Sequence, residues 1–125
     1  MDRLLYICAG IAGFAGVALG AFGAHALKAT LAPDMLTVFE TGVRYQMYHV
    51  FALCAAAWGW SRWQSRLFAI AGGLFVAGIV LFCGSLYLLA FSGVRWLGAI
   101  TPLGGLAFLA GWLCLTRGAA TRLRA

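Results

Sequence analysis

Charge is what this chain has least of. Only three of its 125 residues are acidic, and charged residues make up 10% of the whole, against roughly 25% in a soluble domain. Hydrophobic residues reach 64%, and a single small domain removes only about 60% of its surface from water. The apolar excess cannot be hidden in its own core, so lipid must cover it. The local signatures of chemistry are also missing: no Cys-x-x-Cys, no His-x-x-x-His, no Cys-x-x-Cys-His, no acidic cluster and no Gly-x-Ser-x-Gly. This removes the sequence support for a zinc site, an attached haem or a hydrolase. The four cysteines, Cys8, Cys54, Cys83 and Cys114, all fall in apolar runs and read as free thiols behaving as small hydrophobes. The net charge of +6 comes from residues at the ends of apolar runs, not from a basic face, which excludes nucleic acid as a partner. No fixed period suggests a repeat fold, and only the tail after Gly118 has the composition of a disordered segment.

What is present is hydrocarbon in bilayer-length pieces. Apolar runs at about 4–27, 45–60, 67–91 and 96–116 approach or exceed the ~20 residues that cross a membrane. They predict an all-α, four-helix transmembrane bundle in one integral domain. Ala32-Pro33-Asp34 reads as a helix start, with Pro at the first position and an acid in the first turn. The stretch Asp34 to Arg44 is amphipathic and is expected at the interface, ahead of the buried part of the second helix. Trp58, Trp60 and Trp63 with Arg62 and Arg66 form an aromatic belt and positive charge at one surface. Thr101-Pro102 predicts a cap or kink near the opposite surface, with Trp96 to Ile100 lying shallow. Arg3, Arg62, Arg66, Arg117, Arg122 and Arg124 fall on one side and Lys28, Arg44 and Arg95 on the other. The positive-inside rule then places both termini in the cytoplasm of a multi-pass inner-membrane protein.

Glycine is abundant, with 17 residues. Gly13, Gly16, Gly20 and Gly23 fall on one helical stripe, and Gly104 and Gly111 repeat the pattern in the fourth run. Such stripes let a second backbone approach closely in lipid, so they predict helix packing and motivate association with another copy or a larger complex.

The densest polar chemistry is Glu40 to His49. Glu40 and Arg44, four apart, predict an ion pair on one face. Tyr45 and His49, with Gln46 beside them, form a stripe on nearly the opposite face. The topology brings His25, Ser85, Tyr87 and Thr101 toward the same outer level, so these seven residues are the candidate polar pocket, opening outward. His25 lies roughly opposite the glycine stripe, which turns it elsewhere if that stripe packs on the second helix. Helix-interface hydrogen bonding with no ligand is the plainest use of these groups; a quinone or lipid head group held by Tyr45, Gln46 and His49 is a competing one. No cofactor, metal or catalytic residue is predicted, and haem, metal and quinone stay open.

The chain resembles the bacterial inner-membrane family filed as domain of unknown function 423, related to the eukaryotic transmembrane protein 256. The resemblance is carried by Gly20-Ala-Phe-Gly-Ala-His25, Phe39-Glu-Thr-Gly-Val-Arg-Tyr-Gln-Met-Tyr-His49, Gly84-Ser-Leu-Tyr87, Thr101-Pro-Leu-Gly-Gly105 and Gly111-Trp112. It implies a small polytopic inner-membrane protein and carries over no activity, ligand or catalytic residue. The expected function is a non-enzymatic membrane component working by association with itself or a larger complex. The alternatives are an oligomeric transporter or channel subunit, and a quinone, lipid or redox accessory.

Overall fold

A computed structural model describes residues 1–122. The predicted all-α architecture is present, and the described residues contain no strand. Helix α1 is Asp2–His25. A short 3-10 turn, Leu27–Ala29, leads through the buried Leu27 to α2, Pro33–Trp63. Then come α3, Arg66–Gly78, a π turn at Ile79–Cys83, and α4, Gly84–Ser92, stacked end to end as one rod. A second 3-10 segment, Arg95–Ala99, precedes α5, Thr101–Arg122. Three stretches are long and apolar enough to cross a membrane: Asp2–Ala29, Arg66–Ser92 and Arg95–Arg122.

Local chemistry explains the boundaries. Pro33 sits at the start of α2 with Asp34 in the first turn, where a missing N–H costs nothing and a negative charge meets the helix dipole. The helix stops at Gln64, which turns left-handed at φ 51° and donates its N–H to the Trp60 carbonyl. Gly93 stops the rod in the same way, at φ 69°. The amphipathic stretch Asp34 to Arg44 is the first third of α2 and joins the rest of it without a break. At 31 residues, the helix is about 46 Å long.

Glycine facing a large side chain sets the packing. Along α1, Gly13 lies under Val50, Gly16 under Met47, Gly20 under Val43 and Gly23 under Phe39. The pairing runs antiparallel, and Gly16 and Gly23 are buried. On the other side of the molecule Phe68, Phe75 and Phe82 cover Gly118, Gly111 and Gly104, while Phe108 returns the contact on Gly78. These three phenylalanines and the three glycines they cover each advance by sevens, which keeps each on a slowly drifting stripe. Lipid tails are as apolar as leucine, so burial alone does not drive such helices together; close approach and dispersion do. At Gly104 an added Cβ would meet the backbone N and Cα of Phe82. Phe82 lies in the π turn, where the widened coil brings the rod's backbone against α5.

Candidate functional site

The polar residues of the second helix divide between two of its faces. Gln46, almost fully buried, looks toward α1 and α4. Its Nε2 donates to the Ala12 carbonyl at 2.7 Å, and its Oε1 accepts from the Tyr87 hydroxyl at 2.8 Å. One amide thereby ties three helices together. His49, 4% exposed, looks toward α5. Its Nδ1 lies 2.6 Å from the Tyr45 carbonyl and its Nε2 3.2 Å from the Trp112 indole Nε1. A carbonyl only accepts and an indole N–H only donates, so the ring carries its proton on Nδ1 and is neutral. Phe108 lies flat against it, with centroids 3.5 Å apart and planes 8° from parallel.

His49 is the floor of a cleft between α2 and α5. Tyr45, Tyr48, Phe82, Pro102, Leu106, Leu109 and Trp112 complete most of its wall, around a volume of about 690 Å³. Small-molecule sites run from ~300 to 1,000 Å³. Tyr48, Leu106 and Leu109 are well exposed on the outside of the bundle, so the cleft opens sideways. Its depth follows from the helix registers. Val50 packs on Gly13, midway along α1, and Trp112 is near the middle of α5. The seven expected pocket residues therefore do not open together at one end: Tyr45, Gln46 and His49 lie near the middle of the bundle, where α2 packs along α1.

The seven candidates are not one site. Tyr45 and His49 line the cleft, whereas Gln46 and Tyr87 are joined behind it. Ser85 and Thr101 meet hydroxyl to hydroxyl at 2.7 Å. That contact places the start of α5 beside Ser85, so Thr101 joins two helices and does not act as the expected cap. Trp96 to Ile100 follow suit: Leu97 and Ile100 lie along α4 in a groove with Ser85 and Leu88. His25 is exposed at the end of α1, on the far side from the glycines that face α2, and about three turns from the level of His49. The two histidines share no pocket, and no group of three His, Cys, Asp or Glu side chains among the described residues could hold a metal.

The Glu40–Arg44 ion pair is also corrected. Both side chains are exposed, and the only ion pair among the described residues joins the N-terminus to Asp2 at 3.6 Å. An exposed i, i+4 pair is worth only ~0.2–0.5 kcal/mol, too little to hold two long side chains in one geometry. The cysteines are free, and Cys83 is buried. Trp112, Phe108, Phe82 and Tyr48 escaped sequence reasoning as site residues. The available signal was Trp112, an indole in mid-run away from any aromatic belt, whose N–H needs an acceptor when buried.

The family model described as Protein of unknown function (DUF423) matches residues 19–105. The UPF0382 inner membrane protein YgdD of Escherichia coli K12 is 43% identical over 118 residues, 94% of this chain and 90% of its own. The UPF0382 membrane protein YwdK of Bacillus subtilis is 42% identical over 118 residues, covering 90% and 93%. A UPF0382 membrane protein of Haemophilus influenzae is 42% identical over 108 residues, 86% of each chain. No solved structure matches.

Proposed function

The chain belongs to the DUF423 family of membrane proteins, and from there we propose that it crosses the inner membrane four times with both termini in the cytoplasm. There it acts without catalysis, holding a small amphiphile drawn sideways from the bilayer. The cleft between α2 and α5 carries this reading. Its wall is apolar and aromatic, its mouth faces lipid, and its floor is a neutral imidazole with both nitrogens engaged. A histidine so bound has no free nitrogen for general-base work.

The fourth crossing rests on α2, which runs antiparallel to α1 over four glycine contacts and has no charged residue from Tyr45 to Ser61. Orientation rests on the arginine count. Arg3, Arg62, Arg66, Arg117 and Arg122 lie at one end of the bundle and Lys28, Arg44 and Arg95 toward the other, while Arg124 lies outside the described residues. A component of this kind works through what it holds or meets in the bilayer plane. The glycine stripes meet partners within the chain, so they do not by themselves call for a second copy.

Native mass spectrometry from mild detergent tests the binding. Wild-type protein should carry one extra small amphiphile per chain. Gly105→Phe should lose it, because Gly105 lines the cleft and has only ordinary contacts around it, at 3.8 and 3.9 Å to Phe82. Equal retention by both proteins, or an empty wild type, removes the reading. Labelling of a tag at Ala125 from outside sealed cells reverses the orientation.

A further inference from the structure

We infer that the cleft between α2 and α5 takes a planar, uncharged ring bearing carbonyl oxygens, of the quinone class, with an apolar tail leaving sideways into the bilayer. The inference rests on the proposed holding function and names its ligand.

Charge narrows the field first. Among the described residues no Lys, Arg, Asp or Glu lines the cleft, and the tautomer fixed by Tyr45 and Trp112 leaves His49 uncharged. A phosphate or carboxylate would find no counter-ion there, and an unpaired charge at mid-membrane is strongly disfavoured. Depth points the same way. Tyr48 is the middle residue of α2, and Trp112 lies midway along α5. A phospholipid head group belongs at the interface, whereas a neutral ring can reside at half depth.

Hydrogen bonding supplies the complement. Gln46, His49, Ser85, Tyr87, Thr101 and Trp112 all have partners. The hydroxyls of Tyr45 and Tyr48 have none among the described residues, although their rings meet edge to face at 5.8 Å on the cleft wall. Both side chains are exposed, Tyr45 by 39% and Tyr48 by 54%. Exposure here means exposure to hydrocarbon, which offers a hydroxyl no acceptor. Two neighbouring O–H donors at this depth call for acceptor oxygens that travel in lipid. The walls supply flat surfaces for a ring: Tyr45 lies 4.8 Å from Phe82, and Trp112 stands edge-on to His49 at 6.0 Å. A quinone ring and the start of its tail occupy a volume of this size, and the open side lets the remainder of the tail stay in lipid.

The test uses the full chain in nanodiscs of a single zwitterionic lipid, titrated with a short-tailed benzoquinone and a short-tailed naphthoquinone. Tryptophan fluorescence reports the ring, since quinones quench indoles they touch and Trp112 lines the cleft. Saturable quenching is expected, with one site per chain. The Tyr45→Phe/Tyr48→Phe double variant should weaken it at least tenfold, and Gly105→Phe should abolish it. Both variants are first shown to unfold at the wild-type temperature; Tyr45→Phe/Tyr48→Phe removes only two exposed oxygens and is expected to pass. Quenching that rises linearly with quinone and is the same in all three proteins overturns the ring assignment. If native mass spectrometry at the same time finds a phospholipid or neutral glyceride that Gly105→Phe releases, the holding function stands without the quinone. If it finds nothing, both fall.

Discussion

Gln46 shows how much one residue can hold when the surroundings contain no water. Its amide joins α1 to α4 through Ala12 and Tyr87. Gln46→Leu leaves the Tyr87 hydroxyl unpaired and is expected to lower stability by ~1–3 kcal/mol, read as thermal unfolding in detergent. Tyr87→Phe in that background should cost less than Tyr87→Phe alone, because the partner is already gone; equal costs would mean that the bond contributes nothing. Glu40→Ala should move stability by less than ~0.5 kcal/mol, since its exposed carboxylate has no partner among the described residues. These two residues mark what was legible at this scale. The importance of the Glu40 to His49 stretch could be read directly, but spacing establishes only that two groups can be neighbours. It suggested an ion pair that does not form, and it grouped Gln46 with His49 although one turn of the helix sends them to different partners. Trp112 illustrates the converse, because its acceptor lies 63 residues away and no local pattern shows it.

At the scale of elements, the glycines sort into those that face something and those that do not. Gly104 faces backbone, which cannot move aside, so Gly104→Ala should cost ~1–3 kcal/mol or more. Gly73 and Gly10 have nothing within 4 Å, and Ala at either should be neutral or stabilising by up to ~1 kcal/mol. Parallel unfolding curves for the three variants check this, and equal losses would show that the interface is not where the contacts place it. Gln64 is the only described non-glycine residue at positive φ; Gln64→Gly should stabilise the turn by up to ~1 kcal/mol. The helices, the proline start of α2 and the glycine stripes were all readable, because each depends on short-range pattern. The stripe's partner was not, nor were the phenylalanines at 68, 75 and 82. Two seven-residue ladders on different helices acquire meaning only when the antiparallel register sets them opposite each other. The π turn at Ile79–Cys83 had no sequence signal of its own and follows from that same close packing.

For the whole molecule, apolar side chains face outward as well as inward, and a few polar ones are buried among them. Phe14 is 81% exposed and Leu113 72%, while Gln46, His49 and Ser85 are buried. Composition foretold this solvent, and the three apolar stretches follow from it. Phe14→Arg should be the diagnostic change. On a soluble surface it would be nearly silent, whereas facing lipid near mid-helix it costs ~2.5–3.5 kcal/mol. The expected result is loss of the protein from the membrane fraction, and normal recovery would mean that this face meets water or protein. The cleft was only half legible. Tyr45 and His49 were candidates, but their depth and sideways opening come from how far α2 overlaps α1.

The Ser85–Thr101 contact has a consequence for the cleft. Thr101 begins α5 at the level of Ser85, seven residues before the rod ends at Ser92, so the top of α5 stands about 10 Å lower than the top of α4. The 3-10 segment Arg95–Ala99 fills that step, with Leu97 and Ile100 lying against α4. Pro102 and Gly105, at the foot of the step, are also the upper rim of the cleft. The hydroxyl pair that seats α5 on the rod therefore also sets the height of that rim, so a change at Ser85 or Thr101 would be felt at the mouth of the cleft.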